Sequence, residues 1–370
     1  MKIAIDCRMI GSGGIGSYVS ELVPHFLENN ECLLLGTHEQ CMDFVRMANV
    51  EFCYCDVKPF SYEEMFSFPK EVLDKIHQYD FYFTPYCNIP GGIRIPIFST
   101  IHDVVFLDVP GLTGFFGKMG RKYFYKRAIR LSEEIFTVSK FSKERIIENL
   151  KCRKPISITY NAAPSYIRKE EGDYSEGEAE KAKTETENAK KDSILFVGNI
   201  KKHKGLKTLL DAYEQAVGKG FDKRLVIVGN SENFRTGDEE TVERLKKLSE
   251  SMKDKILFTG RISNRELKDW YKKSAFIVQP SFYEGFGMPP LEAMTVGTPA
   301  IISDIEVFKE IYGDLPVTFF KVGDAGDLAE KMLNFDGSAK IDRERIEGKY
   351  SYKKSAETII EAFRRHQKEN

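Results

Sequence analysis

The apolar positions of the first half of the chain form short runs that alternate with longer amphipathic stretches. The stretches at 17–27 and 115–131 have helical spacing and predict helices. The short runs predict strands at 2–6, 32–36, 81–84, 97–101, 135–138 and 156–160. Strands that alternate with helices indicate a parallel sheet covered by helices on both faces.

The second half repeats this alternation. Its strands are predicted at 194–197, 224–228, 256–259, 276–278 and 300–302, and its helices at 206–216, 239–253, 264–273 and 291–295. A further helix is predicted at 352–368. Two such runs in 370 residues predict an α/β protein of two doubly wound, Rossmann-like domains, with ligands at the carboxyl ends of the strands.

The boundary between the halves is marked by composition. Between Arg168 and Asp192 large apolar residues are nearly absent and Glu and Lys dominate, so this segment cannot bury a core. We predict an N-terminal domain at 1–167, a charged linker or insertion at 168–192 and a C-terminal domain at 193–350. Residues 351–370 are predicted to form a helix that packs back on the N-terminal domain.

Charge and cysteine content narrow the function classes. A formal net charge of −1 does not suggest nucleic acid binding, and no apolar run is long enough to predict a membrane span. Seven cysteines without a C-x-x-C pair fit free thiols in a reducing cytoplasm, and the N-terminus does not resemble a signal peptide. The basic, aromatic segment 114–130 contains no acid; it fits either an anionic membrane surface or a helix that packs its aromatics inward, and we favour the packed helix.

Two strand–loop–helix segments of the second half carry candidate chemistry. In the segment 275–294, a glycine-rich loop and two prolines lead into a helix, which suits an anion, while Glu284 and Glu292 suit hydroxyl donors. In the segment 196–206, Lys204 stands just before a helix and adds a positive charge suited to a diphosphate. Phosphate donors beside hydroxyl acceptors are typical of a nucleotide-sugar site. No Asp-x-Asp pair is present, so we expect no metal and no cofactor.

The first half contributes two further candidates. Gly11, Gly13 and Gly16 match the dinucleotide fingerprint, and Glu39 lies at a ribose-binding distance along the chain, so an NAD-dependent oxidoreductase is one alternative. The same glycine loop fits a phosphate equally well. His102 and Asp103 follow a buried strand, where an imidazole can bond a sugar hydroxyl or polarise a developing charge.

Taken together, these segments resemble the retaining glycosyltransferases of family 4, which have the GT-B fold of two facing Rossmann-like domains. The resemblance covers nearly the whole chain. It is carried by Gly14-Ile15-Gly16, His102-Asp103, residues 137–142, Tyr160-Asn161, residues 197–205, Thr259-Gly260-Arg261 and residues 284–292.

The resemblance implies a role for each matching position. Glu284 would lie beside the donor sugar, Glu292 would bind the ribose, and Lys204 the diphosphate. Arg261 and Ile262 would line the base, and the N-terminal domain would contribute the glycine loop and His102. Many members have an arginine where this chain has Asn199. We assign His102, Glu284 and Lys204 as catalytic, Asp103 and Tyr18 to the acceptor, and to the donor Gly14, Gly16, Asn199, Lys204, Arg261, Ile262, Glu284, Gly285, Phe286, Gly287, Met288 and Glu292.

The implied function is retaining transfer of a hexose-type sugar from a nucleotide diphosphate sugar to a hydroxyl of a glycan or glycolipid acceptor. Expected partners are these two substrates and no nucleic acid, with peripheral membrane contact left open. The expected location is the cytoplasm, including the inner face of the cell membrane. The oxidoreductase remains one alternative. A nucleotide-sugar binder that no longer catalyses, suggested by Asn199, is the other.

Overall fold

The computed structural model describes residues 1–168, 192–229, 238–252 and 254–369. The chain divides into two compact units, Met1–Asn161 with Tyr350–Asn370, and Ala162–Lys349. The predicted linker at 168–192 lies outside the described residues except for its two ends. Among the helices of the described ranges, none is long and apolar enough to cross a membrane.

The N-terminal unit is built on a seven-stranded parallel sheet in the order β3-β2-β1-β4-β5-β6-β7. The chain crosses from one side of β1 to the other between β3 and β4, so the carboxyl ends of β1 and β4 border a crevice. The six predicted strands are confirmed, and only β3 was not predicted, because its sequence mixes charged and apolar residues at the sheet edge. The strands are β1 (Lys2–Asp6), β2 (Glu31–Gly36), β3 (Val50–Tyr54), β4 (Phe81–Thr84), β5 (Ile97–Thr100), β6 (Ser132–Thr137) and β7 (Ile156–Ile158).

Helices of very different length connect these strands. The two predicted ones are confirmed, and the first begins four residues before the predicted start, within the glycine loop. The helices are α1 (Gly13–Leu27), α2 (His38–Cys41), α3 (Tyr62–Phe66), α4 (Lys70–Ile76), α5 (Val105–Asp108), α6 (Phe115–Leu131) and α7 (Lys140–Leu150).

The second unit repeats the architecture with six parallel strands in the order β10-β9-β8-β11-β12-β13. Here β8 and β11 are neighbours at the point where the strand order reverses, and their carboxyl ends border the crevice. The five predicted strands are confirmed, and the short β13 was not predicted. The strands are β8 (Ser193–Val197), β9 (Arg224–Val228), β10 (Ile256–Gly260), β11 (Ser274–Gln279), β12 (Ala300–Ser303) and β13 (Thr318–Phe320).

The helices of this unit include the four predicted ones. One of them begins at Met288 rather than at 291, because Pro289 and Pro290 are accepted in a first helical turn. A short 3-10 turn, Lys202–Lys204, stands between β8 and the next helix. The helices are α8 (Ser165–Arg168), α9 (Leu206–Gly218), α10 (Glu239–Ser251), α11 (Asn264–Lys273), α12 (Met288–Thr295), α13 (Glu306–Tyr312), α14 (Ala325–Leu333) and α15 (Arg343–Lys349).

The last helix, α16 (Tyr352–Glu369), belongs to the N-terminal unit. Its Phe363 ring stacks on Phe81 at 5.1 Å between centroids and meets the edge of Phe98 at 4.7 Å. Ser355 donates a hydrogen bond of 2.7 Å to the carbonyl oxygen of Tyr160. Aromatic burial of this kind makes the helix part of the core of that unit.

The aromatic residues of α6 depart from the expected inward packing. Tyr125 and Ala128 are buried, but Phe115, Phe116 and Tyr123 are exposed. The prediction of a helix with its aromatics turned inward is therefore wrong for the first turns. The reason is geometric: the aromatics spread around more of the helix than the single face that contacts the sheet.

In the C-terminal unit, Gly205 lets two loops meet. It has a left-handed φ of 67°, and an added Cβ would lie 1.9 Å from the carbonyl oxygen of Pro280. The backbone N–H of Phe282 donates to the carbonyl oxygen of His203 at 2.8 Å. The loop that follows β8 is thereby held against the loop that follows β11.

We expect Gly205→Ala to lower the free energy of unfolding by about 2–4 kcal/mol, because the methyl group overlaps the Pro280 carbonyl and alanine disfavours this φ. The matched control is Gly218→Ala, where a Cβ meets open space. It should raise the stability by about 0.5–1 kcal/mol. Denaturant unfolding of both variants measures the difference, and equal effects would contradict the proposed loop contact.

Candidate functional site

Lys204 and Glu284 form an ion pair at the carboxyl ends of β8 and β11. The Lys204 Nζ donates to Oε1 and Oε2 of Glu284 at 2.8 and 2.7 Å. The two residues are 80 positions apart in sequence, and the contact between their loops brings them together. The structure thus joins the two segments that the sequence analysis marked as separate phosphate and hydroxyl sites.

Two further polar side chains donate hydrogen bonds to the Glu284 carboxylate. Ser281 donates to Oε1 at 2.7 Å, and Gln279 donates to the same oxygen at 3.3 Å. Burial opposes ionisation, but the charge of Lys204 and the hydrogen bonds from Lys204 and Ser281 outweigh it and lower the pKa of Glu284. Glu284 is therefore a fixed carboxylate anion. Sequence reasoning missed Gln279, at the end of β11, and Ser281, in the loop after it, although their closeness to Glu284 in sequence was a usable signal.

His203 adds a neutral imidazole beside this pair. It is 8% exposed, and its Nδ1 is a buried atom without a hydrogen-bond partner. Burial, and then the charge of Lys204, lower the pKa of His203 to about 4, so the ring is neutral near pH 7. An unpaired buried polar atom is uncommon and costly, which marks Nδ1 as a candidate ligand contact.

Glu292 lies on α12 in a different environment. Its carboxylate is buried and accepts a hydrogen bond of 2.7 Å from the Tyr271 hydroxyl of α11. Burial raises the pKa of Glu292 to about 7, only partly offset by the Tyr271 hydrogen bond. Near neutral pH this group exchanges between an acceptor-only carboxylate and a protonated acid that also donates. Tyr271 had no signal in the sequence, since its role depends on the packing of α11 against α12.

The loop between Glu284 and α12 is held by its own backbone contacts. Gly287 has a left-handed φ of 89°, and a Cβ there would lie 2.3 Å from the ring of Phe308. The Tyr312 hydroxyl donates to the carbonyl oxygen of Gly287. Gly285 and Phe286 are buried, whereas Met288 is half-buried. These contacts fix the start of α12.

The remaining donor-binding predictions in this unit lie at the same edge of the sheet. Asn199 is exposed directly after β8. Arg261 is exposed and Ile262 half-buried, directly after β10. Because the carboxyl ends of parallel strands share one edge, these positions and the Lys204–Glu284 pair line the same side of the unit. Their roles toward a ligand stay predictions.

In the N-terminal unit, His102 follows β5 and contacts Tyr18. The His102 Nε2 donates to the carbonyl oxygen of Pro85 at 2.8 Å, and its ring meets the Tyr18 ring edge-on at 4.9 Å. Burial lowers the pKa of His102 to about 4 despite the Pro85 hydrogen bond. The neutral ring with a protonated Nε2 leaves Nδ1 as an acceptor, which suits a hydroxyl and cannot supply positive charge.

The two residues assigned to an acceptor differ in exposure. Tyr18 is fully buried, and its hydroxyl shares a hydrogen bond of 2.7 Å with Thr159. Asp103 is half-buried and accepts a hydrogen bond from the backbone N–H of Val105 at 3.0 Å. Tyr18 touches His102 directly, so its packing fixes the imidazole ring.

The glycine loop of this unit is shaped by close packing. A Cβ on Gly16 would lie 2.5 Å from the Met9 carbonyl oxygen, whereas one on Gly14 would meet open space. Gly16 is therefore explained by the contact between α1 and the segment that precedes it. Gly14 faces open space at the first turn of α1, and its predicted donor contact stays a prediction.

A buried polar network anchors the chain just before that loop. Arg8 bonds Asp6 at 2.6 Å and Glu64 at 2.7 Å, while Asn88 donates to both carboxylates. Each charge is paired, as burial requires. Within the described ranges, no group of three or more His, Cys, Asp or Glu residues could hold a metal ion.

Comparisons with known proteins agree with this architecture. A family model described as glycosyl transferases group 1 matches residues 178–347. The O-antigen chain mannosyltransferase RfbU of Salmonella typhimurium is 29% identical over 216 residues, covering 57% of this chain and 53% of the relative. An uncharacterized glycosyltransferase of Methanocaldococcus jannaschii, MJ1178, is 31% identical over 220 residues, covering 60% and 52%. The chain spans about half the length of these curated relatives.

Solved structures match over the whole chain. Sucrose-phosphate synthase from Thermosynechococcus elongatus superposes with a TM-score of 0.76 at 17% identity, covering 100% of both chains. HepE from Anabaena, solved with UDP and glucose, has a TM-score of 0.72 at 15% identity and covers 98% and 99%. The fold is therefore GT-B, as predicted. The family model and the relatives named as mannosyltransferases support a glycosyltransferase, and the oxidoreductase alternative is not favoured.

The raised pKa of Glu292 predicts a pH-dependent stability. The folded state holds a proton that the unfolded carboxylate releases near pH 4.5, so the contribution of Glu292 to stability falls as pH rises from 4.5 to 7. Across that window, the unfolding free energy of the wild type minus that of Glu292→Gln should fall by about 3 kcal/mol.

Denaturant unfolding of both proteins at several pH values measures this difference. Tyr271→Phe serves as the second variant: it removes the hydrogen bond that lowers the pKa of Glu292, so the fall should extend to higher pH. A difference that stays constant across this pH range would contradict the assignment of a buried, titrating Glu292.

Proposed function

We propose that this protein is a retaining glycosyltransferase that moves a hexosyl group from a nucleoside diphosphate sugar to a hydroxyl of a growing glycan. The observation that carries the proposal is the Lys204–Glu284 pair at the β8–β11 edge. A cation beside a fixed carboxylate matches the two halves of the donor, a diphosphate and a sugar. The relatives that are named as O-antigen mannosyltransferases support a hexose and a polysaccharide acceptor.

Each side chain has a chemical task in this proposal. The ammonium of Lys204 has three N–H donors, two of which point at Glu284, which leaves a third for a phosphate oxygen. Glu284 accepts hydrogen bonds from sugar hydroxyls, and Glu292 accepts them from the ribose. His102 offers Nδ1 to a sugar hydroxyl.

In the reaction, the bond from the anomeric carbon to the diphosphate breaks, and the acceptor oxygen forms its bond on the same face. The acceptor proton passes to the leaving phosphate oxygen. Because negative charge grows on that oxygen, the Lys204 ammonium stabilises the transition state more than the bound donor. We propose that this charge is met without a metal ion.

The partners and location follow from the same proposal. The donor is a nucleotide diphosphate sugar, and the acceptor is a glycan or glycolipid. The seven cysteines are free and buried, which fits the reducing cytoplasm that we propose as the location.

A donor panel tests the activity. GDP-mannose, UDP-glucose and related donors are incubated with candidate glycan acceptors, and release of nucleoside diphosphate and the anomeric configuration of the product are followed. We expect one donor to be used with retention and activity to persist in chelator. A product of inverted anomeric configuration would refute the retaining mechanism. Loss of activity in chelator would refute the metal independence. Stabilisation by NAD but by no nucleoside diphosphate would refute the proposal as a whole.

Lys204→Ala should lower kcat/KM for the donor. The loss of transition-state stabilisation should be about 1.5–3 kcal/mol, the range for hydrogen bonds to charged groups. Glu292→Ala should have an effect of the same size. The matched control is Lys202→Ala, because Lys202 is an exposed lysine two positions away. Steady-state kinetics on all three variants decide the point. If Lys204→Ala behaves like Lys202→Ala, the diphosphate assignment is wrong.

A further inference from the structure

The first turns of α6 expose large apolar side chains that nothing in the described chain covers. Phe116 is 86% exposed, Phe115 73%, Met119 55% and Tyr123 50%. A single exposed apolar residue is ordinary, but four on neighbouring turns of one helix form a patch. We call these four residues the α6 patch.

Basic residues continue the same face of the helix. Phe115, Met119, Lys122 and Lys126 follow each other at spacings of four, three and four, which places them along one side of α6. Lys122, Lys126 and Arg130 are exposed. The helix contains six basic residues and no acid, whereas the whole chain has a net charge of −1. Three of the six basic residues, Lys122, Lys126 and Arg130, thus lie on this exposed face.

The opposite side of α6 is firmly attached to its unit. Tyr125 and Ala128 are buried in the core. Arg127 donates to the carbonyl oxygen of Ile89, and the Arg121 guanidinium lies 4.4 Å from the centre of the Phe106 ring. The exposed face is therefore presented by a helix that is held in place.

We propose that the α6 patch and its flanking lysines bind the surface of an anionic lipid bilayer. Aromatic and sulfur-containing side chains insert at the level of the headgroups, and lysines and arginine pair with lipid phosphates. A basic face without acids is complementary to anionic lipid and repels a second copy of the same face. No residue of the α6 patch is assigned to the donor, and the proposal adds a membrane to the proposed partners.

The test is co-flotation of the full chain with vesicles. We expect binding to vesicles of mixed phosphatidylcholine and phosphatidylglycerol, little binding to phosphatidylcholine alone, and weaker binding at high salt. The double variant Phe115→Ser with Phe116→Ser should reduce vesicle binding at least about tenfold. The matched control, Met42→Ser with Met47→Ser, removes two other exposed apolar side chains and should leave binding unchanged.

A second pair of variants tests the charge. Lys122→Glu with Lys126→Glu should also reduce vesicle binding at least about tenfold, because each basic residue near an anionic surface strengthens binding about fivefold. Lys219→Glu with Lys246→Glu makes the same change in net charge on exposed lysines of the C-terminal unit and should have little effect. Equal loss in both pairs would overturn the assignment to α6.

Other outcomes separate this proposal from the proposed function. The membrane proposal would be overturned if vesicle binding were absent, or equal on neutral and anionic lipid. A dimer that the Phe115 and Phe116 changes dissociate, without vesicle binding, would identify a second copy as the occupant. Transfer to a water-soluble acceptor should be unchanged in the Phe115 and Phe116 variant. If the protein uses no donor but still binds anionic vesicles, the proposed function is wrong and the assignment of the α6 patch to a membrane is supported.

Discussion

The site of the C-terminal unit depends on a backbone contact between two loops. Gly205 passes the carbonyl of Pro280 so closely that only a residue without a side chain fits, and this contact brings Lys204 to Glu284. The parallel pairing of β8 and β11 puts both loops at one edge of the sheet. The close approach of Gly205 to Pro280 then brings the two loops into contact. The ion pair thus rests on geometry that glycine alone permits.

Two glutamates of one loop–helix segment differ in charge because of what surrounds them. Glu284 is buried but meets Lys204 and Ser281, so its carboxylate stays ionised. Glu292 is buried against a neutral tyrosine and has a pKa of about 7. Glu284 offers a permanent negative charge. Glu292 offers a carboxyl group whose protonation state depends on the ligand beside it. This difference suits a fixed contact to one part of a ligand and an adaptable contact to another.

The alternation of apolar runs and helices was sufficient to predict the fold class and most strands, because buried parallel strands have a strong apolar signal. It failed at β3 and β13, which are edge strands and mix polar with apolar residues. The positions of Lys204, Glu284 and Glu292 at strand ends could be predicted from motif and spacing. Tyr271, the partner of Glu292, could not, because it lies 21 residues earlier on another helix, and a hydrogen bond between distant elements leaves no periodic trace. The exposed aromatics of α6 were misassigned because hydrophobicity alone does not tell which side of a helix meets the sheet.

The return of α16 to the N-terminal unit has a consequence for the order of folding. The rings of Phe81 and Phe98 are synthesised early, but Phe363, which packs on both, leaves the ribosome only after the entire C-terminal unit. The core of the N-terminal unit, which is synthesised first, is therefore completed last. Until then the apolar surface at Phe81 and Phe98 stays uncovered. During synthesis the C-terminal unit has all of its strands before the N-terminal unit has all of its helices.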